Sequence, residues 1–171
     1  MKPVYFFPGQ GSQSTGMGTA LAEKYPGAAD IFKRAGALAG YDVLALCAEG
    51  PAEKLSRTLY TQPALFTVEA AIVEILRARG MEPSAAAGHS LGEYGAWYAA
   101  GVYDFESGFA LVSERARLMD GADPEGKGAM AAVIGLDETI VREACETIDG
   151  TVVIANLKIG RASCRERVCS T

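Results

Sequence analysis

The stretch Ala87-Gly88-His89-Ser90-Leu91-Gly92-Glu93-Tyr94 decides how this chain folds. Within it, Gly88-His89-Ser90-Leu91-Gly92 fits the G-x-S-x-G pattern of a nucleophile elbow, in which a strand enters, a helix leaves and the serine sits on the sharp turn between them. Small residues two positions either side of the serine are required because the strained turn packs backbone against backbone. On the entry side, Ala85-Ala86-Ala87 predicts a short buried strand; on the exit side, residues 91–100, with Trp97 and Tyr98, predict a helix. A helix starting there aims its free amides and positive dipole end at the serine oxygen. The five-residue pattern also arises by chance in Gly/Ala-rich sequence, so a glycine-rich turn with an idle serine fits the same letters.

Upstream of the elbow, Val4-Tyr5-Phe6-Phe7 is a β-branched and aromatic run that predicts a buried first strand. It breaks at Pro8-Gly9-Gln10-Gly11-Ser12-Gln13, a loop whose glycines allow close backbone approach. Residues 21–25 and 28–38 look helical, and 41–56 carries short helical pieces punctuated by Gly50-Pro51. A long helix is expected to start at Thr61-Gln62-Pro63 and to end at Gly80. Its apolar stripe is Leu65, Val68, Ile72, Ile75 and Leu76, with Glu69, Glu74 and Arg77 off it. Downstream, Asp104 predicts the cap of a second clear helix running to about Met119.

After a turn-rich linker at 120–128 the texture changes. Strand, helix and strand are expected at 129–134, 137–148 and 152–155, the start of a second, smaller subdomain. The final stretch, 158–171, matches neither period, is crowded with Arg and Cys, and predicts a disordered terminus.

Composition bounds the function. At 171 residues, 49% hydrophobic and 22% charged, the chain has the make-up of a soluble globular domain with a real core. No apolar run reaches the length of a membrane span and no signal-peptide pattern opens the chain, so a cytoplasmic location and no membrane partner are expected. A net charge of −5 without a basic cluster in the body argues against nucleic acid. Cysteines 47, 145, 164 and 169 show no metal or redox spacing, and no metal site is expected; Cys47 and Cys145 read as small core residues.

A serine hydroxyl is a weak nucleophile until a base takes its proton, and its attack on a carbonyl creates an oxyanion that needs donors. The elbow offers the Leu91 amide. The loop after the first strand offers Gln10, which reads equally as a polar loop residue facing water. On the second helix, at about 100° per residue, Arg115 falls inside an apolar arc formed by Phe105, Phe109, Leu111, Val112, Ala116, Leu118 and Met119. A guanidinium there is costly unless paired. It either snorkels, pairs with an internal carboxylate, or waits for the carboxylate of a ligand, which its planar fork binds bidentately. His89, the one histidine, is adjacent to Ser90 on a tight turn, so its side chain should point away from the hydroxyl. It reads as a structural neighbour of the elbow, and no second histidine completes a dyad.

Over residues 1 to about 156 the sequence resembles the malonyl-CoA:acyl carrier protein transacylases, the acyl-loading enzymes of fatty acid synthesis. The resemblance rests on Phe7-Pro8-Gly9-Gln10-Gly11-Ser12-Gln13, on Thr61-Gln62-Pro63-Ala64-Leu65, on the elbow through Tyr94, on Arg115 in Val112-Ser113-Glu114-Arg115, and on the run Gly128 to Leu136. It implies an α/β fold, a hydrolase-like parallel-sheet core in 1–124 with a truncated ferredoxin-like subdomain in 125–157. It implies Ser90 as the acylated nucleophile, Gln10 and the Leu91 amide as the oxyanion hole, and Arg115 as the clamp on the malonyl carboxylate. Gln62 and Asn156 would line the site. Malonyl-CoA as substrate, acyl carrier protein as partner, no tightly bound cofactor and a monomeric enzyme follow from the same resemblance.

From Leu157 onward the pattern is lost, and Lys158 to Val168 resembles the translation of a sequencing adaptor. The chain therefore reads as a gene fragment lacking the family's catalytic histidine, with 158–171 a non-native tail and with impaired catalysis. The rival readings are a polyketide-synthase-type acyltransferase, a serine esterase, and a non-catalytic binder of acyl-CoA or carrier protein.

Overall fold

The computed structural model describes residues 2–122, 128–157 and 166–170. Two compact units divide the chain, Met1–Ala122 and Asp123–Thr171. In the first, β1 (Val4–Phe7) and β2 (Ala85–Gly88) pair in parallel, Val4 opposite Ala85 through Phe7 opposite Gly88. Between them run α1 (Thr19–Lys24), α2 (Pro26–Ala39), α3 (Val43–Glu49), α4 (Ala52–Ser56) and α5 (Thr58–Arg77). After β2 come α6 (Gly92–Ala99) and α7 (Phe105–Asp120). Helices packed on a parallel strand pair make this an α/β fold.

The core is built around α5, which packs against α2, α6 and α7. By length and composition α5 could cross a membrane, yet 67% of that stretch is buried inside the protein, as in a core helix. Phe66 of α5 stacks on Phe105 of α7 with ring centroids 5.8 Å apart and planes within 8°. Tyr98 of α6 meets both rings edge-on. Burying each such phenyl side chain stabilises by about 1.5–3 kcal/mol.

Several expectations are corrected here. α5 begins at Thr58, and Pro63 lies inside it, removing the amide that would bond the Leu59 carbonyl. Thr61 is no cap: its buried hydroxyl donates to the Leu55 and Arg57 carbonyls at 2.6 and 2.9 Å. The apolar stripe read for α5 is too narrow. Neighbours surround the helix, so Glu69 is buried with it, while Ile72 is exposed. The two strands are not buried on both faces. Side chains alternate along a strand, and α6 packs against both strands. Phe7 is buried, whereas Val4, Phe6, Ala85 and Ala87 are exposed, Phe6 at 79%.

α7 is also rotated from its expected arc. Its buried side is Phe105, Gly108, Phe109, Val112 and Ala116, which leaves Leu111, Leu118 and Met119 exposed and Arg115 at the margin. The helix starts where expected: the Asp104 carboxylate accepts from the Ser107 amide at 2.8 Å. Asp104→Ala should cost about 1 kcal/mol and lower the melting temperature by roughly 3–5 °C in a thermal scan. An unchanged melting temperature would mean that water caps the helix as well as the carboxylate does.

The second unit holds β3 (Ala129–Val133), α8 (Glu138–Glu146), β4 (Val152–Asn156) and β5 (Glu166–Ser170). The strands form an antiparallel sheet in the order β3-β5-β4. This corrects the expectation of a structureless tail for 166–170. β3 and β4 do not pair with each other, so β5 supplies the ladder partners that both would otherwise lack. The rest of that tail, 158–165 and 171, lies outside the described residues.

Candidate active site

β2 ends at Gly88 and α6 begins at Gly92, so the chain turns through three residues with Ser90 at the centre. Ser90 has φ 55°, the one positive φ of a non-glycine residue among the described residues. Left-handed backbone costs an L-residue roughly 1–2 kcal/mol and persists only where the surroundings enforce it. They do so here. A Cβ on Gly88 would run into the Gly92 carbonyl, and one on Gly92 into the Phe7 carbonyl. The His89 amide donates to the Phe7 carbonyl at 3.0 Å, and the Gly92 amide to the His89 carbonyl at 3.0 Å. The elbow is thereby fixed to β1 on one side and to its own helix on the other. Leu91 anchors it with a fully buried side chain.

Three helices bring their side chains to the exposed Ser90. Arg115 of α7 donates from Nη2 to Ser90 Oγ at 3.1 Å and from Nη1 to Gln62 Oε1 of α5 at 2.5 Å. Gln62 is fully buried, and its Nε2 donates to Met119 Sδ at 3.3 Å. The Arg115 guanidinium also lies over the Tyr94 ring of α6, 5.8 Å from the centroid. Among the described residues no carboxylate lies within ion-pair distance of Arg115. Among the described residues, an amide oxygen, a hydroxyl and a ring face hold the cation, and none of them carries a compensating negative charge.

Gln10 sits half-buried on the loop after β1. That loop runs beside the elbow, where a Cβ on Gly9 would stand 2.5 Å from the His89 carbonyl oxygen. The Gln10 side chain donates to Thr58 Oγ1 at 3.0 Å, so it does not simply face water. Neither the Gln10 nor the Leu91 backbone amide donates to a protein acceptor among the described residues. His89 is exposed and forms no hydrogen bond to Ser90 Oγ. Asn156 ends β4 in the second unit, its backbone opposite Arg167 of β5. No cluster of His, Cys, Asp or Glu suited to a metal ion occurs among the described residues.

Residues 4–161 match the family model described as the acyl transferase domain. The chain belongs to the acyl transferase domain family. The malonyl CoA-acyl carrier protein transacylase of Escherichia coli K12 is 48% identical over 152 residues, covering 88% of this chain and 49% of that protein. An acyl carrier protein S-malonyltransferase structure from Vibrio cholerae superposes with a TM-score of 0.85 at 40% identity, covering 99% of this chain and 56% of that one. A malonyl-transacylase solved in complex with a type II PKS acyl-carrier protein superposes with a TM-score of 0.87 at 38% identity, covering 99% and 55%. The chain spans about half the length of the curated relatives it matches.

Two residues of this acyl transferase domain escaped the sequence reading. Tyr94 has a signal in hindsight, because a residue four past the serine in the first turn of α6 stays beside the elbow. Glu69 has none, since its position looks like a solvated helix face. It is 5% exposed, and neither of its oxygens has a hydrogen-bond partner among the described residues. Burial pushes its carboxyl up to about 8. It lies against α6 where a Cβ on Gly95 would meet Glu69 Oε2 at 2.5 Å and the Phe7 ring at 2.6 Å.

Proposed function

We propose that the protein transfers the malonyl group of malonyl-CoA to the phosphopantetheine thiol of acyl carrier protein, through an ester on Ser90, in fatty acid biosynthesis. The observation that carries this reading is the Arg115 guanidinium 3.1 Å from Ser90 Oγ, with no carboxylate paired to it among the described residues. A serine nucleophile with a fixed positive charge beside it suits an acyl group that ends in a free carboxylate. A neutral ester or an acetyl thioester has no group for that charge, which disfavours the esterase alternative.

Ser90 Oγ attacks the thioester carbonyl carbon, and the Leu91 and Gln10 backbone amides are the donors for the oxyanion. Collapse breaks the C–S bond and releases coenzyme A as its thiol, leaving malonyl-serine. The carrier thiol then attacks the ester, forms a new thioester and returns the Ser90 hydroxyl. Thioester is exchanged for thioester, so the chemistry is redox-neutral. No imidazole or carboxylate bonds Ser90 Oγ among the described residues. Proton transfer by a positioned base contributes roughly 10²–10⁴-fold, so acylation of this chain by malonyl-CoA should be slow.

The test is intact-mass spectrometry after incubation with malonyl-CoA, followed by peptide mapping. The expected result is a single malonyl adduct on Ser90 that is absent from Ser90→Ala and is discharged by holo acyl carrier protein. Labelling at another residue would overturn the assignment of Ser90, and no adduct after prolonged incubation would overturn the acyl-enzyme reading in favour of a binder.

A further inference from the structure

We infer that Tyr94 is a positioning residue for acyl selection: its ring holds the Arg115 guanidinium in the orientation that receives a ligand carboxylate. The inference rests on the proposed role of Arg115 and extends it to a residue whose side chain has no part in the chemistry.

Arg115 is held by three contacts. The side chain is half-buried on the margin of α7, and an arginine has ample rotamer freedom to lose. Two hydrogen bonds and one ring face fix it. The hydrogen bond to Ser90 Oγ weakens once Oγ is acylated, because an ester oxygen is a poorer acceptor than a hydroxyl. Gln62 and the Tyr94 ring are the restraints that do not depend on the state of Oγ. The ring is suited to this because a cation over an aromatic face keeps its N–H edge free. A carboxylate in the same place would neutralise the charge that the ligand needs.

Tyr94 is itself well anchored. Its carbonyl accepts from the Tyr103 hydroxyl at 2.6 Å, and burial raises the Tyr103 pKa, which keeps that hydroxyl a donor. Its ring packs on Trp97 with centroids 5.3 Å apart. It stands in the first turn of α6, four residues past Ser90. The Glu93 and Tyr94 amides donate to the Ser90 and Leu91 carbonyls at 3.2 and 3.0 Å, which ties the turn that carries the nucleophile to the start of the helix that carries the ring.

A cation–π contact at a partly exposed site is a modest but measurable restraint. Removing it lowers the fraction of Arg115 in the receptive orientation and weakens apparent affinity by that fraction, about two- to six-fold. The test is calorimetric titration of malonyl-CoA and acetyl-CoA, all in the Ser90→Ala background so that no acyl transfer intervenes. Tyr94→Leu should weaken malonyl-CoA two- to six-fold and leave acetyl-CoA unchanged. Tyr94→Phe, which keeps the ring face, should behave as the parent for both ligands. Equal weakening of both ligands in Tyr94→Leu, a Tyr94→Phe variant as weak as Tyr94→Leu, or no effect of either would overturn the inference. Arg115→Ala in the same background separates this from the underlying reading. If it abolishes the malonyl preference while Tyr94→Leu does nothing, only the role of Tyr94 fails. If the parent shows no preference for malonyl-CoA, both fail.

Discussion

Arg115→Ala should slow malonyl transfer to Ser90 by roughly 30- to 150-fold while sparing transfer from acetyl-CoA. Truncating one partner of a fully buried, hydrogen-bonded charge pair costs 2–5 kcal/mol or more. Arg115 is only half-buried, so the low end of that range applies, about 2–3 kcal/mol, which gives the stated factor. Acetyl transfer has no carboxylate to lose and gains access once the guanidinium no longer bonds Ser90 Oγ. Arg115→Lys should fall between, because an ammonium keeps the charge but not the fork that reaches Gln62 and Ser90 together. The measurement is the initial rate of Ser90 acylation from each thioester. An equal loss for malonyl and acetyl groups would make Arg115 a structural residue.

The elbow was legible because its pattern is confined to five consecutive residues, although the Phe7 carbonyl that crowds Gly92 belongs to β1, far away in sequence. Two glycines flank a serine because backbone carbonyls occupy the space where side chains would go, and any sequence that makes this turn must show it. The start of α7 was legible for the same reason, since Asp104 bonds an amide three residues on. Arg115 was found through the wheel of α7 although the wheel was misread. Apolar residues cover so much of that helix that periodicity does not choose the buried side. The stacking of Phe105 on Phe66 chooses it, and α5 lies far away in sequence. That rotation places Arg115 on the margin, where it reaches both the buried amide of Gln62 and the exposed serine.

What stayed hidden depends on contacts between distant segments. Nothing in Thr61-Gln62-Pro63 shows that the helix has already begun at Thr58, because a proline inside a helix reads locally as a beginning. The strand at 166–170 is legible only once β3 and β4 are seen to leave a place between them. Pairing decides that segment, and its composition does not. Glu69 is the clearest case, because a carboxylate on α5 looks solvated until α6 is laid across it.

That burial sets the last expected result: stability should fall as pH rises from about 4.5 to 8, and Glu69→Gln should remove most of the fall. Burial raises the Glu69 carboxyl from an ordinary value of 4.5 to about 8 in the folded protein. Between those values the folded state holds a proton that the unfolded state has released. Unfolding therefore releases a proton, and each step up in pH favours the unfolded chain. The contribution is complete below the unfolded value and is lost as pH passes through the folded one. A shift of this size corresponds to about 4–5 kcal/mol across the window. The exposed carboxyls of Asp104, Glu114 and Asp137 are lowered by amide or arginine hydrogen bonds and pull the other way at more acid pH. The wild-type and Glu69→Gln curves share those groups, so their difference isolates Glu69. The glutamine amide carries its own burial cost, but that is a constant offset and leaves the slope untouched. Urea titrations of both proteins at pH 5, 6, 7 and 8 give the comparison. Parallel curves would show that Glu69 ionises at an ordinary pH, and hence that water or another group reaches its carboxyl beneath the elbow.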